Sequence, residues 1–100
     1  MSAAHDAIAE SRADAARSVF IVDDHPIVRQ GLRQLIEQET DLTVCGEAAD
    51  VREARSALSR LTPDIVILDL SLRDSDGLEV IKDIRCKYGR LPVLVLSMHD

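Results

Sequence analysis

The 100-residue sequence is poor in aromatic residues and has no long apolar run. It contains one Phe, one Tyr and no Trp, while 46% of its residues are hydrophobic, so a core must consist mainly of Leu, Ile, Val and Ala. No stretch reaches the roughly 18 apolar residues that indicate a transmembrane helix. The N-terminus also lacks the basic region and apolar segment of a secretory signal. These absences favour a cytoplasmic protein.

Cysteine is scarce, and acidic residues outnumber basic ones, with 18 Asp and Glu against 12 Lys and Arg. The two cysteines, Cys45 and Cys86, lie far apart and do not have the spacing of a metal site. We therefore expect reduced, partly buried thiols that serve packing, as is usual in cytosolic proteins. The formal net charge at pH 7 is −6. This balance argues against nucleic-acid or anionic-membrane binding by this segment itself.

The chain is long enough for one domain at most. Residues 1–17 are rich in Ala, with scattered charges and no apolar stripe, and are expected to form a flexible N-terminal extension. Residues 18–100 alternate between helical patterns and four strand-like segments: "SVFIV", "LTVCGEA", "DIVILDL" and "VLVLS". This alternation predicts an α/β fold with a parallel sheet and helices on both faces. The last two strands are expected to be buried on both sides.

Three helices are predicted between the strands. The first begins at Pro26, whose missing N–H costs nothing in a first helical turn. The second begins after Asp50, an expected N-cap with Glu53 three residues on, and is broken by Pro63. Helical spacing predicts these inward residues: Val28, Leu32, Leu35 and Ile36 in the first helix; Val51, Ala54, Leu58 and Leu61 in the second; Leu78, Ile81 and Ile84 in the third,.

Polar residues follow three of the predicted strands. Asp23 and Asp24 end the first, Asp69 ends the third and Ser97 ends the fourth. The carboxyl ends of parallel strands share one edge of the sheet, where ligands bind. Two carboxylates at ~4 Å repel by about 4 kcal/mol at an effective dielectric of 20. Three of them are suited to a hard divalent cation such as Mg²⁺.

A carboxylate beside such a cation can act as a nucleophile towards phosphorus and form an aspartyl-phosphate. The metal would neutralise charge on the transferring group, and Ser97 would donate a hydrogen bond to a phosphoryl oxygen. His25 follows the acidic pair directly. Two interpretations of His25 stay open: a loop residue at the helix entry, or a metal ligand or proton carrier.

Four blocks, "VDDHPIVRQGL", "DIVILDLSL", "DGLEVIKDIR" and "VLVLSMHD", resemble the receiver domain of two-component response regulators. The order and spacing of the blocks are those of the LuxR/NarL-type subfamily, and the resemblance covers residues 19–100. It implies a flavodoxin-like, doubly wound sheet with strand order 2-1-3-4-5.

The resemblance also implies roles for single residues. Asp69 matches the phosphate acceptor, and Asp23 and Asp24 match the acidic pair that holds Mg²⁺. The main-chain carbonyl of Ser71 matches a third protein ligand, and Ser97 matches the switch hydroxyl. The implied protein is a signalling switch and not a turnover enzyme. It would receive phosphate from a sensor histidine kinase and control transcription through a DNA-binding output domain.

Two departures from the family pattern are visible. Arg73 and Asp74 replace its usual proline and glycine after the acceptor. The family's fifth strand with its phosphate-pairing lysine, its fifth helix and the output domain would come after Asp100, so residues 18–100 are expected to form an incomplete receiver. An open apolar edge at "VLVLS" then predicts self-association, with a symmetric homodimer as one form.

Three other functions stay open. A phosphohydrolase with an aspartate nucleophile would need a second aspartate two residues later, where this chain has Ser71,. A flavodoxin-type electron carrier would need a phosphate-binding loop after the first strand, where "DDHPIV" would repel phosphate. A receiver-like module that mediates protein contacts without phosphorylation is the third.

Overall fold

The computed structural model describes residues 16–69 and 77–96, which alternate between strands and helices. The strands are β1 (Arg17–Val22), β2 (Leu42–Ala48), β3 (Ile65–Asp69) and β4 (Val93–Leu96). The helices are α1 (Pro26–Glu37), α2 (Val51–Leu58) and α3 (Gly77–Lys87). Within these ranges, no helix combines the length and the apolar character needed to cross a membrane.

All strands of the sheet are parallel and lie in the order β2-β1-β3-β4. This arrangement confirms the predicted α/β fold, and the order agrees with a doubly wound sheet. Val22 of β1 is paired with Leu68 of β3. Asp23 and Asp69 each come one residue later, so the register places both at the carboxyl edge of the sheet.

Helices cover both faces of the sheet. Successive side chains of β1 point to opposite faces, so each face presents apolar residues on which helices can pack. Phe20 and Val22 pack in a cluster with α2 and α3 residues such as Ala54 and Ile84. Val19 and Ile21 belong to a second cluster, which includes Ile36 of α1 and Ile67 of β3. The aliphatic core expected from the composition is therefore split into two layers by the sheet.

Helix α2 begins at the predicted residue and ends before the predicted break at Pro63. Asp50 accepts a hydrogen bond from the Glu53 backbone N–H at 2.8 Å, and Glu53 accepts one from the Ala49 N–H at 2.7 Å. The helix ends at Leu58, well before Pro63. The hydroxyl of Tyr88 donates to the Leu58 carbonyl at 3.0 Å, which satisfies one terminal acceptor. Leu61 lies outside the helix but still packs against the core.

Several residues predicted to face inward are exposed. In α1, Leu32 and Ile36 pack against the sheet, which turns Leu35 outward with 63% of its surface exposed. In α3, Val80 and Ile84, which are four residues apart, are buried against the core. Leu78 of the same helix is 52% exposed. Strand β4 was predicted to be buried on both faces, yet it lies at one end of the described sheet and leaves Leu94 and Val95 exposed.

The two cysteines are free, and they differ in environment. Cys45 is half-buried, and burial raises the pKa of its thiol, so it stays protonated at neutral pH. Cys86 is exposed on α3, and the prediction that it is partly buried is wrong. The inward positions of α3 are taken by other residues of that helix.

Candidate metal and phosphoryl-transfer site

The structure brings together three of the predicted site residues at the carboxyl edge of the sheet. Asp23 and Asp69 are each only 1% exposed, and the side chain of Asp24 is mostly buried. Asp69 ends β3, and the other two aspartates lie in the turn between β1 and α1. The predicted roles of Ser71 and Ser97 fall on residues outside the described ranges.

His25 joins this acidic cluster, although sequence reasoning left its role open. Its Nδ1 lies 2.9 Å from Asp23 Oδ1, 3.0 Å from Asp24 Oδ1 and 3.4 Å from Asp69 Oδ2. The His25 backbone N–H also donates to Asp23 Oδ1 at 2.7 Å. His25 is the N-cap residue of α1, and the hydrogen bond between its Nδ1 and Asp23 holds the ring at the cluster. Its position directly after two aspartates was the signal in the sequence.

The acidic cluster raises the pKa of His25. The largest cause is the hydrogen bond with Asp23, and the negative charges of Asp24, Asp23 and Asp69 act in the same direction against partial desolvation. A protonated imidazole is stabilised by these carboxylates and offsets part of their mutual repulsion. The cluster thus attracts positive charge.

Arg29 is a second residue that the sequence did not reveal as part of this region. Its Nη1 donates to the Asp23 carbonyl oxygen at 2.6 Å, and its Nε donates to Glu47 Oε1 at 2.9 Å. Arg33 Nε lies 2.9 Å from the other oxygen of Glu47. These contacts join α1, β2 and the backbone of the acidic turn, and so help to fix the position of Asp23.

The donor atoms of the cluster fit a divalent cation. One ligand atom from each of Asp23, Asp24, His25 and Asp69 can be chosen so that all lie within 4.8 Å of one another. The Oδ2 atom of Asp23 is buried and has no hydrogen-bond partner among the described residues. A buried carboxylate oxygen without a donor is costly unless a cation approaches it. Carboxylate oxygens are the ligands that Mg²⁺ prefers.

Comparison with known proteins gives the family. The sequence profile of the response regulator receiver domain matches residues 19–100. The chain belongs to this family. Among solved structures, the receiver is similar to a LuxR-family two-component response regulator from Aurantimonas sp. SI85-9A1, with a TM-score of 0.79 and 42% identity. That match covers 85% of this chain and 61% of the other.

Curated relatives and a second solved structure agree with this assignment. The receiver is 36% identical to the nitrate/nitrite response regulator NarL of Escherichia coli K12, over 83% of this chain and 39% of that protein. It is 38% identical to the transcriptional activator DevR/DosR of Mycobacterium tuberculosis, over 81% of this chain and 37% of that protein. The RcsB–DNA complex matches with a TM-score of 0.78 and 35% identity, and this match covers 85% of this chain and 45% of the RcsB chain.

These relatives confirm the LuxR/NarL-type resemblance of the sequence blocks. NarL is named as a nitrate/nitrite response regulator and DevR/DosR as a DNA-binding transcriptional activator. The chain spans about two fifths of the length of the curated relatives it matches.

Proposed function

We propose that this receiver is phosphorylated on Asp69 with the help of Mg²⁺, and that a sensor histidine kinase is the phosphodonor. The observation that carries the proposal is the acidic cluster. Asp69 ends a buried strand beside Asp23 and Asp24, and its carboxylate lies among groups that attract a cation. Membership of the receiver family supports the same reaction.

In the proposed reaction, a carboxylate oxygen of Asp69 attacks phosphorus. An O–P bond forms, the P–N bond to the donor histidine breaks, and the imidazole leaves with the bonding electrons. Asp23, Asp24, Asp69 and the main-chain carbonyl of Ser71 would hold the metal. When bound, Mg²⁺ supplies positive charge that stabilises the transferring phosphoryl group. Ser97 would then donate a hydrogen bond to a phosphoryl oxygen.

The reaction can be tested without knowledge of the kinase. Incubation with Mg²⁺ and a small phosphodonor such as acetyl phosphate should add one phosphoryl group, seen by intact mass spectrometry. Chelation of the metal should prevent the addition, and hydroxylamine should remove the group because it cleaves acyl phosphates. No added mass under any of these conditions would support a protein-contact module that is not phosphorylated.

Mg²⁺ is expected to stabilise the folded chain because it binds the clustered carboxylates only when they are brought together. At ten times the dissociation constant, the free energy of unfolding should rise by about 1.4 kcal/mol. Thermal melts in MgCl₂ and in NaCl of matched ionic strength measure this difference. Asp24→Asn should remove most of it, while Asp41→Asn, a change at an exposed aspartate outside the cluster, should leave it intact. Equal melting temperatures in both salts would contradict the metal site.

A surface beside the cluster is suited to contact with the kinase. Ile27 lies in the first turn of α1, two residues after His25, and is 84% exposed. A kinase that delivers a phosphoryl group to Asp69 must come close to this end of α1, so the exposed side chain of Ile27 is available for contact with it. We propose that it packs against the kinase when the phosphohistidine reaches Asp69.

Ile27→Ser is expected to lower the rate of phosphoryl transfer from a sensor kinase by about tenfold, a loss of about 1.4 kcal/mol of contact energy. The rate with acetyl phosphate should stay unchanged, since the small donor needs no docking surface. Leu35→Ser, on the same helix but two turns away and also exposed, is the matched control. Equal losses with both donors would mean that Ile27 acts on the site itself.

Other parts of the proposed function concern the whole protein. We propose that the phosphorylated receiver regulates transcription through a DNA-binding output domain, because curated relatives are transcription regulators.

A homodimer is proposed because one solved neighbour, at 35% identity, contains RcsB dimers on DNA. A cytoplasmic location is proposed, with the free thiols of Cys45 and Cys86 as support.

A further inference from the structure

The imidazole of His25 occupies a position that a metal ligand could take. Its Nδ1 lies 2.9, 3.0 and 3.4 Å from single oxygens of Asp23, Asp24 and Asp69. Adjacent ligands of an octahedral ion with bonds of about 2.1 Å lie about 3.0 Å apart. The same spacing suits a hydrogen bond, so the distances allow ligation and do not alone establish it.

The buried side chain of Asp23 gives a second, independent indication that a cation binds beside His25. His25 contacts only the Oδ1 atom, through both its backbone N–H and its ring. The Oδ2 atom of the same carboxylate is buried and lacks a hydrogen-bond donor within the part of the chain that the structure describes. The imidazole therefore leaves one oxygen of this carboxylate without a partner among the described residues. A cation that contacts both Asp23 and His25 would compensate the charge of this carboxylate.

We propose that His25 is a further protein ligand of the metal site, through Nδ1, and that it makes the site favour Mn²⁺ over Mg²⁺. The inference rests on the metal site of the proposed function and adds a specificity determinant to it. Imidazole nitrogen is a good ligand for first-row transition metals, whereas Mg²⁺ takes oxygen ligands almost alone. The ring binds in the tautomer that carries its proton on Nε2.

Pulsed electron paramagnetic resonance of the bound Mn²⁺ ion tests direct ligation. A nitrogen-14 coupling is expected in the wild-type complex and should vanish in His25→Ala. The chain has two other histidines, His5 and His99. A His5→Ala/His99→Ala double variant keeps His25 alone and should retain the coupling. Bound Mn²⁺ without nitrogen coupling in the wild type would overturn the inference.

Calorimetric titration with Mn²⁺ and with Mg²⁺ in the same buffer and at the same pH tests the preference. Carboxylates alone could favour either ion, so the decisive quantity is the change in the ratio of the two affinities. His25→Ala should lower the Mn²⁺ affinity by about tenfold or more and the Mg²⁺ affinity by much less. Equal losses for both ions would overturn the preference and show that His25 only orders the acidic turn.

The outcomes separate this inference from the proposed function. If the wild type binds neither ion, both fail. If it binds both ions and is phosphorylated, yet shows no nitrogen coupling, only the role of His25 fails. Circular dichroism of metal-free His25→Ala checks its fold, and the wild-type resonance spectrum tests ligation even if that variant is unfolded.

Discussion

Asp69→Asn is expected to abolish phosphorylation of this chain. The amide nitrogen and oxygen of asparagine lack the nucleophilic charge of a carboxylate, so no acyl phosphate can form at that position. With Mg²⁺ and acetyl phosphate, the wild type should gain one phosphoryl mass and the variant none. Peptide mapping should place the group on Asp69. A label on Asp23 or Asp24 in the wild type would contradict the assignment.

The same variant should remain folded. Asparagine has nearly the shape of aspartate, and the change removes one negative charge from a cluster of three buried or half-buried carboxylates. Two such charges at ~4 Å repel by about 4 kcal/mol at an effective dielectric of 20. We therefore expect the metal-free variant to melt at the wild-type temperature or above it. A large fall in melting temperature would mean that lost labelling reflects unfolding.

Phe20→Ala is expected to destabilise the fold by about 3–5 kcal/mol, because it leaves a cavity in a site that is fully buried. Phe20 has no exposed surface and lies in β1, an inner strand of the described sheet, within the larger of the two core clusters. A small domain has about 5–15 kcal/mol of stability in total, so the loss is a large fraction of it. Urea denaturation of both proteins measures the difference. Arg52 is exposed on α2, so the control variant Arg52→Ala should change the free energy of unfolding little.

A nearby glycine offers a sharper test of the packing around Phe20. The register of β1 against β2 shifts between Val19 and Phe20, and Phe20 then pairs with Gly46. A Cβ atom at Gly46 would lie 2.8 Å from Leu61 Cδ1 and 3.0 Å from Phe20 Cε1. Gly46→Ala alone should therefore cost about 1–3 kcal/mol.

The cost of Gly46→Ala should shrink in a Phe20→Leu background, since the smaller side chain leaves room for the added methyl group. A double-mutant cycle gives the coupling between the two positions. If Gly46→Ala costs the same in both backgrounds, the ring is not what excludes a side chain at Gly46, and Leu61 becomes the remaining candidate.

Much of the fold was readable from local patterns. The bounds of β2 are those of the segment "LTVCGEA", and the Asp50–Glu53 cap forms the predicted hydrogen bond. Both depend on interactions between near neighbours in the sequence: alternation along a strand, and a side chain that reaches a backbone N–H three residues away. The family blocks were readable for the same reason, because each is a short contiguous segment.

The sequence by itself determined the alternation of strands and helices, and it placed aspartates at strand ends. The tertiary structure decided how far each helix is rotated against the sheet. Leu35 and Leu78 fit the helical period as well as the residues that are buried. Contact with the sheet selected Ile36 and Val80 instead. A period defines a stripe about 100° wide, and only packing against a particular neighbour fixes which edge of the stripe is covered.

The site shows the same division. Asp23 and Asp69 could be placed together from the sequence because strand ends of a parallel sheet share an edge. His25 and Arg29 could not be assigned contacts, because these depend on the angle at which α1 leaves β1 and on the position of Glu47 in β2. The contacts with Glu47 and Asp69 join residues 18 and 44 positions apart, and their geometry exists only once the sheet has brought the strands into register.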